Sequence, residues 1–193
     1  EFEISLPEKA LYDNLYFKVE QEAKTVHSDK FKVGDIKIPA SEYFNVKLKI
    51  KEFNPHFKEK YLVAFKDYKG KVNSLGGELN TKTNMLSAES RGFGEYYIAV
   101  DTIPPKIATL SVTEGKLMTK YTKIQFKITD NFSGIEEYNC FINGNWVVLA
   151  LDGKKALYTY AVDDNVVRGT NSILLIAKDK RNNASTFSAD FVY

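Results

Sequence analysis

The two histidines are the first residues to consider for catalysis, because imidazole acts as a general base near neutral pH and as a metal ligand. A catalytic zinc ion needs about three protein ligands, and neither His27 nor His56 lies in a His-x-His or His-Glu-x-x-His pattern. A Ser-His-Asp triad stays an alternative, because its members can lie far apart in a sequence, but no Gly-x-Ser-x-Gly nucleophile motif is present. We therefore expect surface histidines, no catalytic residue and no enzyme in this chain.

Three segments rich in Asp and Asn, which begin at Asp130, Asp163 and Asp179, offer the oxygen ligands that calcium prefers. The same composition is typical of turns, because these side chains accept hydrogen bonds from their own backbone two residues further on. Two cations, Lys180 and Arg181, directly follow Asp179. We favour the turn interpretation over calcium, and predict no metal and no cofactor.

Trp146 is the only tryptophan and follows the pair Asn143-Gly144. Asn-Gly predicts a type I′ hairpin, in which both central residues need positive φ. Trp146 is either a carbohydrate-stacking platform or a core anchor, and its neighbours Val147 and Leu149 favour the core. Buried there, Trp146→Ala would cost about 3–5 kcal/mol.

A candidate binding surface comprises Trp146, Tyr138, Tyr158 and Tyr160. If these rings were exposed and coplanar, they would favour a carbohydrate-binding or adhesion module. The single cysteine, Cys140, lies in an apolar run and is expected to be an inert buried thiol.

The distribution of charged residues argues against a nucleic-acid partner. Lys and Arg number 27 against 25 Asp and Glu, and they alternate along strand-like segments instead of clustering as a nucleic-acid footprint requires. No apolar stretch reaches the ~18 residues of a membrane span. We predict no nucleic-acid partner and no membrane span in this chain.

Period-two alternation dominates the sequence and predicts an all-β fold of two tandem β-sandwich, immunoglobulin-like domains. The diproline Pro104-Pro105 cannot donate ladder hydrogen bonds, so the domains are predicted at 1–101 and 102–193. Residues 21–40 are expected to hold an edge strand and a loop, with pairing limited by Pro39. Glycines predict a strand bulge at 74–78 and a turn at 91–94.

The predicted strands of both domains are short and evenly spaced. They cover residues 3–6, 14–19, 44–51, 60–65, 72–79, 85–90, 95–100, 106–112, 122–129, 135–142, 145–149, 157–162, 172–177 and 185–192.

Five strings of the sequence are distinctive together: LPEKALYDNLYF (6–17), SLGG (74–77), RGFG (91–94), VDTIPP (100–105) and DNFSGI (130–135). They resemble the C-terminal region of secreted bacterial proteins whose N-terminal part is a lysostaphin-type zinc peptidase, an enzyme that cuts peptidoglycan cross-links.

The resemblance implies a non-catalytic accessory tail of an exported cell-envelope protein, since that family's zinc ligands lie in the peptidase part and have no counterpart here. Its expected location is secreted, periplasmic or on the cell surface. Its expected partner is cell-wall glycan or an envelope protein.

Overall fold

The structure, a computed structural model, describes residues 1–12, 17–35 and 38–193. These residues form β-strands and turns with a short 3₁₀ helix at Pro55–Phe57. The chain divides into two compact units, Glu1–Thr102 and Ile103–Tyr193. Each unit contains a four-stranded and a five-stranded sheet that enclose a hydrophobic core. The predicted all-β fold of tandem sandwiches is confirmed, and the domain bounds 1–101 and 102–193 stay a prediction.

The first unit has sheets in the order β1-β4-β8-β7 and β2-β3-β9-β5-β6, with antiparallel pairing. Alternation builds its core: along β4, Phe44, Val46 and Leu48 are buried while Asn45 and Lys49 are exposed. The strands are β1 Phe2–Ser5, β2 Val19–Lys24, β3 Asp29–Val33, β4 Pro39–Lys49, β5 Tyr61–Lys66, β6 Val72–Ser74, β7 Glu78–Asn80, β8 Met85–Gly92 and β9 Gly94–Val100.

One segment of the first unit differs from the sequence expectation. Residues 21–40 contribute to three strands, and Pro39 begins β4 opposite Gly92. The strand bulge predicted at 74–78 is present: Leu75 N donates to Val63 O at 2.9 Å and Val63 N donates to Gly76 O at 2.7 Å, so two residues lie opposite one. The strand predicted at 14–19 lies largely outside the described residues.

The second unit has sheets in the order β10-β12-β16-β15 and β11-β18-β17-β13-β14. Strand β11 runs parallel to β18, while the other pairs are antiparallel. This order matches the immunoglobulin arrangement, in which strands A, B, E and D face strands C, F and G. The strands are β10 Lys106–Thr109, β11 Lys116–Leu117, β12 Lys123–Thr129, β13 Ile135–Ile142, β14 Asn145–Val147, β15 Ala150–Asp152, β16 Leu157–Ala161, β17 Thr170–Asp179 and β18 Ala184–Val192.

Most strands of the second unit lie where alternation predicts them, and β13 has the predicted bounds. Its core includes Ile124 and Phe126 from β12, Leu175 from β17 and Phe191 from β18, all exposed by 1% or less. The short strands β11 and β15 were not predicted, because two or three residues are too few to show an alternation.

Candidate binding groove in the second unit

The hairpin between β13 and β14 sets the direction of Trp146. Asn143 and Gly144 have φ of 52° and 79°, and Ile142 pairs with Asn145, which confirms the predicted type I′ turn. Val147 points inward and is 5% exposed, whereas Trp146 is 59% exposed. The expectation that Trp146 anchors the core is wrong, because successive side chains of a strand face opposite sides.

The indole ring of Trp146 is held in one orientation on the outer face of the sheet. Its Nε1 donates a hydrogen bond to Oδ1 of Asn139 at 3.1 Å. Asn139 lies on β13, two residues before Phe141, which is the register partner of Trp146. Because the indole N–H is already bonded, the ring offers a ligand mainly its apolar face.

A groove of about 650 Å³ lies beside Trp146. It forms where the chain leaves one sheet at the end of β14 and joins the other sheet at β15. Trp146 and the exposed Val148 contribute from this crossing, while Lys123 and Thr159 contribute from β12 and β16. The volume falls within the range of about 300–1,000 Å³ that is usual for small-ligand sites.

Asp163 gives the groove a fixed negative charge. Its Oδ1 accepts a hydrogen bond from the Tyr160 hydroxyl, from the backbone N of Asn165 at 2.9 Å and from Asn165 Nδ2 at 3.0 Å. The Tyr160 hydrogen bond, followed by the Asn165 backbone N–H, lowers the pKa of Asp163. Burial and then the bond to Asp163 raise the pKa of Tyr160 to about 12. The exposed carboxylate is therefore ionised at neutral pH.

Asn143 ties the hairpin that carries Trp146 to the loop that carries Asp163. Its Nδ2 donates to the backbone O of Asn165 and to Oδ1 of the buried Asn171, both at 2.8 Å. Its Oδ1 accepts from the backbone N of Ser172 at 2.9 Å. The two walls of the groove are thus connected through one side chain. Sequence patterns showed Asn143 as a turn residue but gave no signal of this connection.

The candidate surface of four aromatic residues is not assembled in the structure. Only Trp146 of the four is exposed. Tyr158 and Tyr160 share the inward face of β16 and are 4% and 3% exposed, since they are two positions apart on the strand. Tyr138 is half-buried; its ring lies edge-on to Tyr158 with the centroids 4.7 Å apart, and its hydroxyl donates to the backbone O of Leu149 at 3.0 Å.

The histidines and the cysteine lie in unlike environments. His56 is exposed, as expected. His27 is half-buried, with its ring edge-on to Tyr61 and Phe57 and its Nδ1 inaccessible to solvent, so the surface expectation is wrong for it. Cys140 is fully buried, as expected, and burial raises its pKa to about 11.

The Asp-rich segments act as turns, as predicted. Asp130 Oδ2 accepts from the backbone N of Phe132 and of Gly134, at 2.9 and 2.8 Å. Asp179 Oδ1 accepts from the backbone N of Arg181 at 2.7 Å. Folding also brings carboxylate oxygens of Asp130 and Asp179 within 4.8 Å of each other, which their separate positions in the sequence did not indicate.

Residues 1–101 match the sequence profile of the Zu5-like domain. The chain belongs to the Zu5-like domain family. No curated protein matches this Zu5-like chain. Among solved structures it is similar to the fibronectin(III)-like modules of Clostridium thermocellum CbhA, at 14% identity and a TM-score of 0.36 over 78% of this chain and 85% of that chain. That similarity is too low to carry a functional conclusion.

Among the described residues, no helix has the length and apolarity needed to cross a bilayer. The predicted link to lysostaphin-type zinc peptidases stays a prediction.

Proposed function

We propose that this chain is a non-catalytic accessory region of an exported bacterial cell-envelope protein, and that it contacts the cell wall or an envelope protein through the groove beside Trp146. The observation that carries the proposal is the exposed indole of Trp146, oriented by Asn139 at 3.1 Å. Large aromatic side chains are enriched among the residues that dominate binding energy. Val148, which is 64% exposed and lines the same groove, extends the apolar surface beside it.

Export and the cell-envelope location are supported by the motifs at 91–94, 100–105 and 130–135, which resemble the tails of secreted lysostaphin-type peptidases. In that context the chain would position a peptidoglycan peptidase on its substrate. The native polypeptide that carries this chain should then bind zinc and cleave wall cross-links. A native polypeptide that binds no zinc, or that cleaves no cross-links, would reject the peptidase link and leave the binding function open.

The binding function is tested by sedimentation of the chain with purified bacterial cell walls. We expect the wild-type chain to sediment and Trp146→Ala to need about tenfold more wall material for half-saturation. Tyr68→Ala is the matched control, because Tyr68 is also 59% exposed but lies in the first unit. The proposal would be refuted if all three proteins sedimented equally, or if none of them sedimented with the walls.

The second candidate function is a carbohydrate-binding or adhesion module, and the same groove favours it. Protease treatment of the walls before sedimentation separates the two, because it removes attached proteins and leaves the glycan. Binding that survives the treatment supports glycan contact. Binding that disappears identifies an envelope protein as the partner.

A further inference from the structure

We propose that the groove beside Trp146 binds a neutral polysaccharide, with the indole face packed against a sugar ring and Asp163 accepting hydrogen bonds from sugar hydroxyls. The inference rests on the proposed contact function and names its ligand class. It replaces the four-ring surface expected from the sequence with a site in which one aromatic ring is combined with polar groups from neighbouring strands.

The aromatic part of the site is prepared before a ligand binds. Asn139 accepts the indole N–H of Trp146 at 3.1 Å, so the ring loses little conformational freedom on binding. A pyranose ring has an apolar face of C–H groups, which matches a flat, exposed aromatic surface. Exposed Val148, beside the ring, extends the contact along a chain of sugars.

The polar part of the site suits hydroxyl groups. Asp163 receives its three donors on Oδ1, which leaves Oδ2 as the atom available to a ligand. Lys123 supplies a donor, and the Thr159 hydroxyl, which accepts from Gln125 Nε2 at 3.2 Å, has its own proton to donate. Hydroxyls both donate and accept, so they can satisfy all three groups.

The charges of the groove argue for a neutral ligand. Asp163 and Lys123 carry opposite charges and both line the groove. A cationic side chain would be attracted by Asp163 and by the indole face but repelled by Lys123. An anionic ligand would be attracted by Lys123 but repelled by Asp163. Neither Asp163 nor Lys123 repels an uncharged ligand that carries hydroxyl groups.

Tryptophan fluorescence tests the inference directly, because the chain contains one tryptophan and it lies in the groove. The intact chain is titrated with soluble N-acetylglucosamine oligosaccharides and cello-oligosaccharides, with a trilysine peptide as the cationic probe. We expect a saturable shift of the emission to shorter wavelength with at least one oligosaccharide, since a stacked sugar displaces water from the indole, and no shift with trilysine.

Calorimetry with the active oligosaccharide extends the test to variants. We expect Trp146→Ala to weaken binding by at least about thirtyfold and Asp163→Asn by about tenfold, with Tyr68→Ala unchanged. Thermal melts check folding, and both groove positions are exposed. Binding unaffected by Trp146→Ala, a response to trilysine alone, or no saturable response would each overturn the inference. If oligosaccharides fail while sedimentation with cell walls still depends on Trp146, the ligand class is wrong and the proposed contact function stands.

Discussion

Gly94 offers a sharp test of the packing in the first unit. It begins β9, opposite Val33 of β3, and a Cβ at this position would lie 2.5 Å from the carbonyl O of Lys66 and 2.7 Å from Cε2 of Phe65. Real Cβ atoms essentially never approach another atom closer than 3.0 Å. Because the nearer atom belongs to the backbone, Gly94→Ala must separate β9 from β5 and cannot be absorbed by a side-chain rotation alone.

The cost of Gly94→Ala follows from that geometry. Overpacking a well-ordered interior costs about 1–3 kcal/mol, and a backbone clash places this change at the upper end, at about 2–3 kcal/mol. For a unit of this size, the loss lowers the melting temperature by about 10–20 °C. Differential scanning calorimetry measures the change. Hydrogen exchange followed by mass spectrometry assigns it to a unit, and we expect the second unit to be unaffected if the two fold independently.

Gly153→Ala is the matched control. A Cβ at Gly153 meets nothing within 4 Å, and alanine there restricts the unfolded chain, so we expect a gain of about 0.4–1 kcal/mol. If Gly94→Ala melts within about 2 °C of the wild type, the close approach of β9 to β5 is not a constraint and the reasoning fails. Faster exchange in both units would refute independent folding.

Three further predictions concern the second unit. Trp146→Ala should change the free energy of unfolding by less than about 1 kcal/mol in a chemical denaturation curve, because the ring is exposed; a loss of 3 kcal/mol or so would restore the core interpretation. Tyr160→Phe should raise the pKa of Asp163 towards 3.8 in a carboxyl NMR titration, because the hydroxyl bond is the first cause of its lowering. Since the folded pKa is depressed, the stability that this bond contributes is present above the unfolded pKa and is lost as pH falls through the folded one; an unchanged titration would contradict the bond. Cys140 should resist alkylation at pH 8 until the unit unfolds, and rapid labelling of the native chain would show that the thiol is accessible.

Alternation predicted the strands because burial of one sheet face imposes a period of two on the side chains. β13 illustrates the success, since Ile135–Ile142 was predicted with the observed bounds. β4 illustrates the limit: it begins at Pro39, earlier than predicted, and its pairing with β8 is irregular between Pro39 and Phe44. Such an irregularity breaks the period that sequence analysis relies on.

The sequence itself contains the reason that Trp146 lies outside the core. Val147 and Leu149 are buried, and the alternation of side chains along a strand then requires Trp146 and Val148 to face outward. A lone tryptophan tends to lie in a core, but the alternation of side chains along the strand decides the direction of this one. In an edge strand of three residues, the period is the stronger constraint, because little of the sheet covers the outer side.

The groove itself lay beyond sequence reasoning because it depends on which sheet each strand joins. Trp146 and Asp163 line one groove because β14 adds to the edge of one sheet and β15 joins the other, next to β16. No local sequence pattern indicates which sheet a strand joins. The hydrogen bond from Asn143 to Asn165 depends on the positions of two loops that are far apart in the sequence.

The length of β14 connects the stability of the sandwich edge with the proposed binding. An edge strand presents unpaired backbone groups and can pair with a strand of another chain. β14 has three residues, and the chain then crosses to the opposite sheet, so little unpaired edge remains for such a strand. The same crossing opens the groove beside Trp146. A ligand can therefore contact this edge through side chains, whereas a strand that adds to the sheet would need the longer backbone edge that β14 lacks.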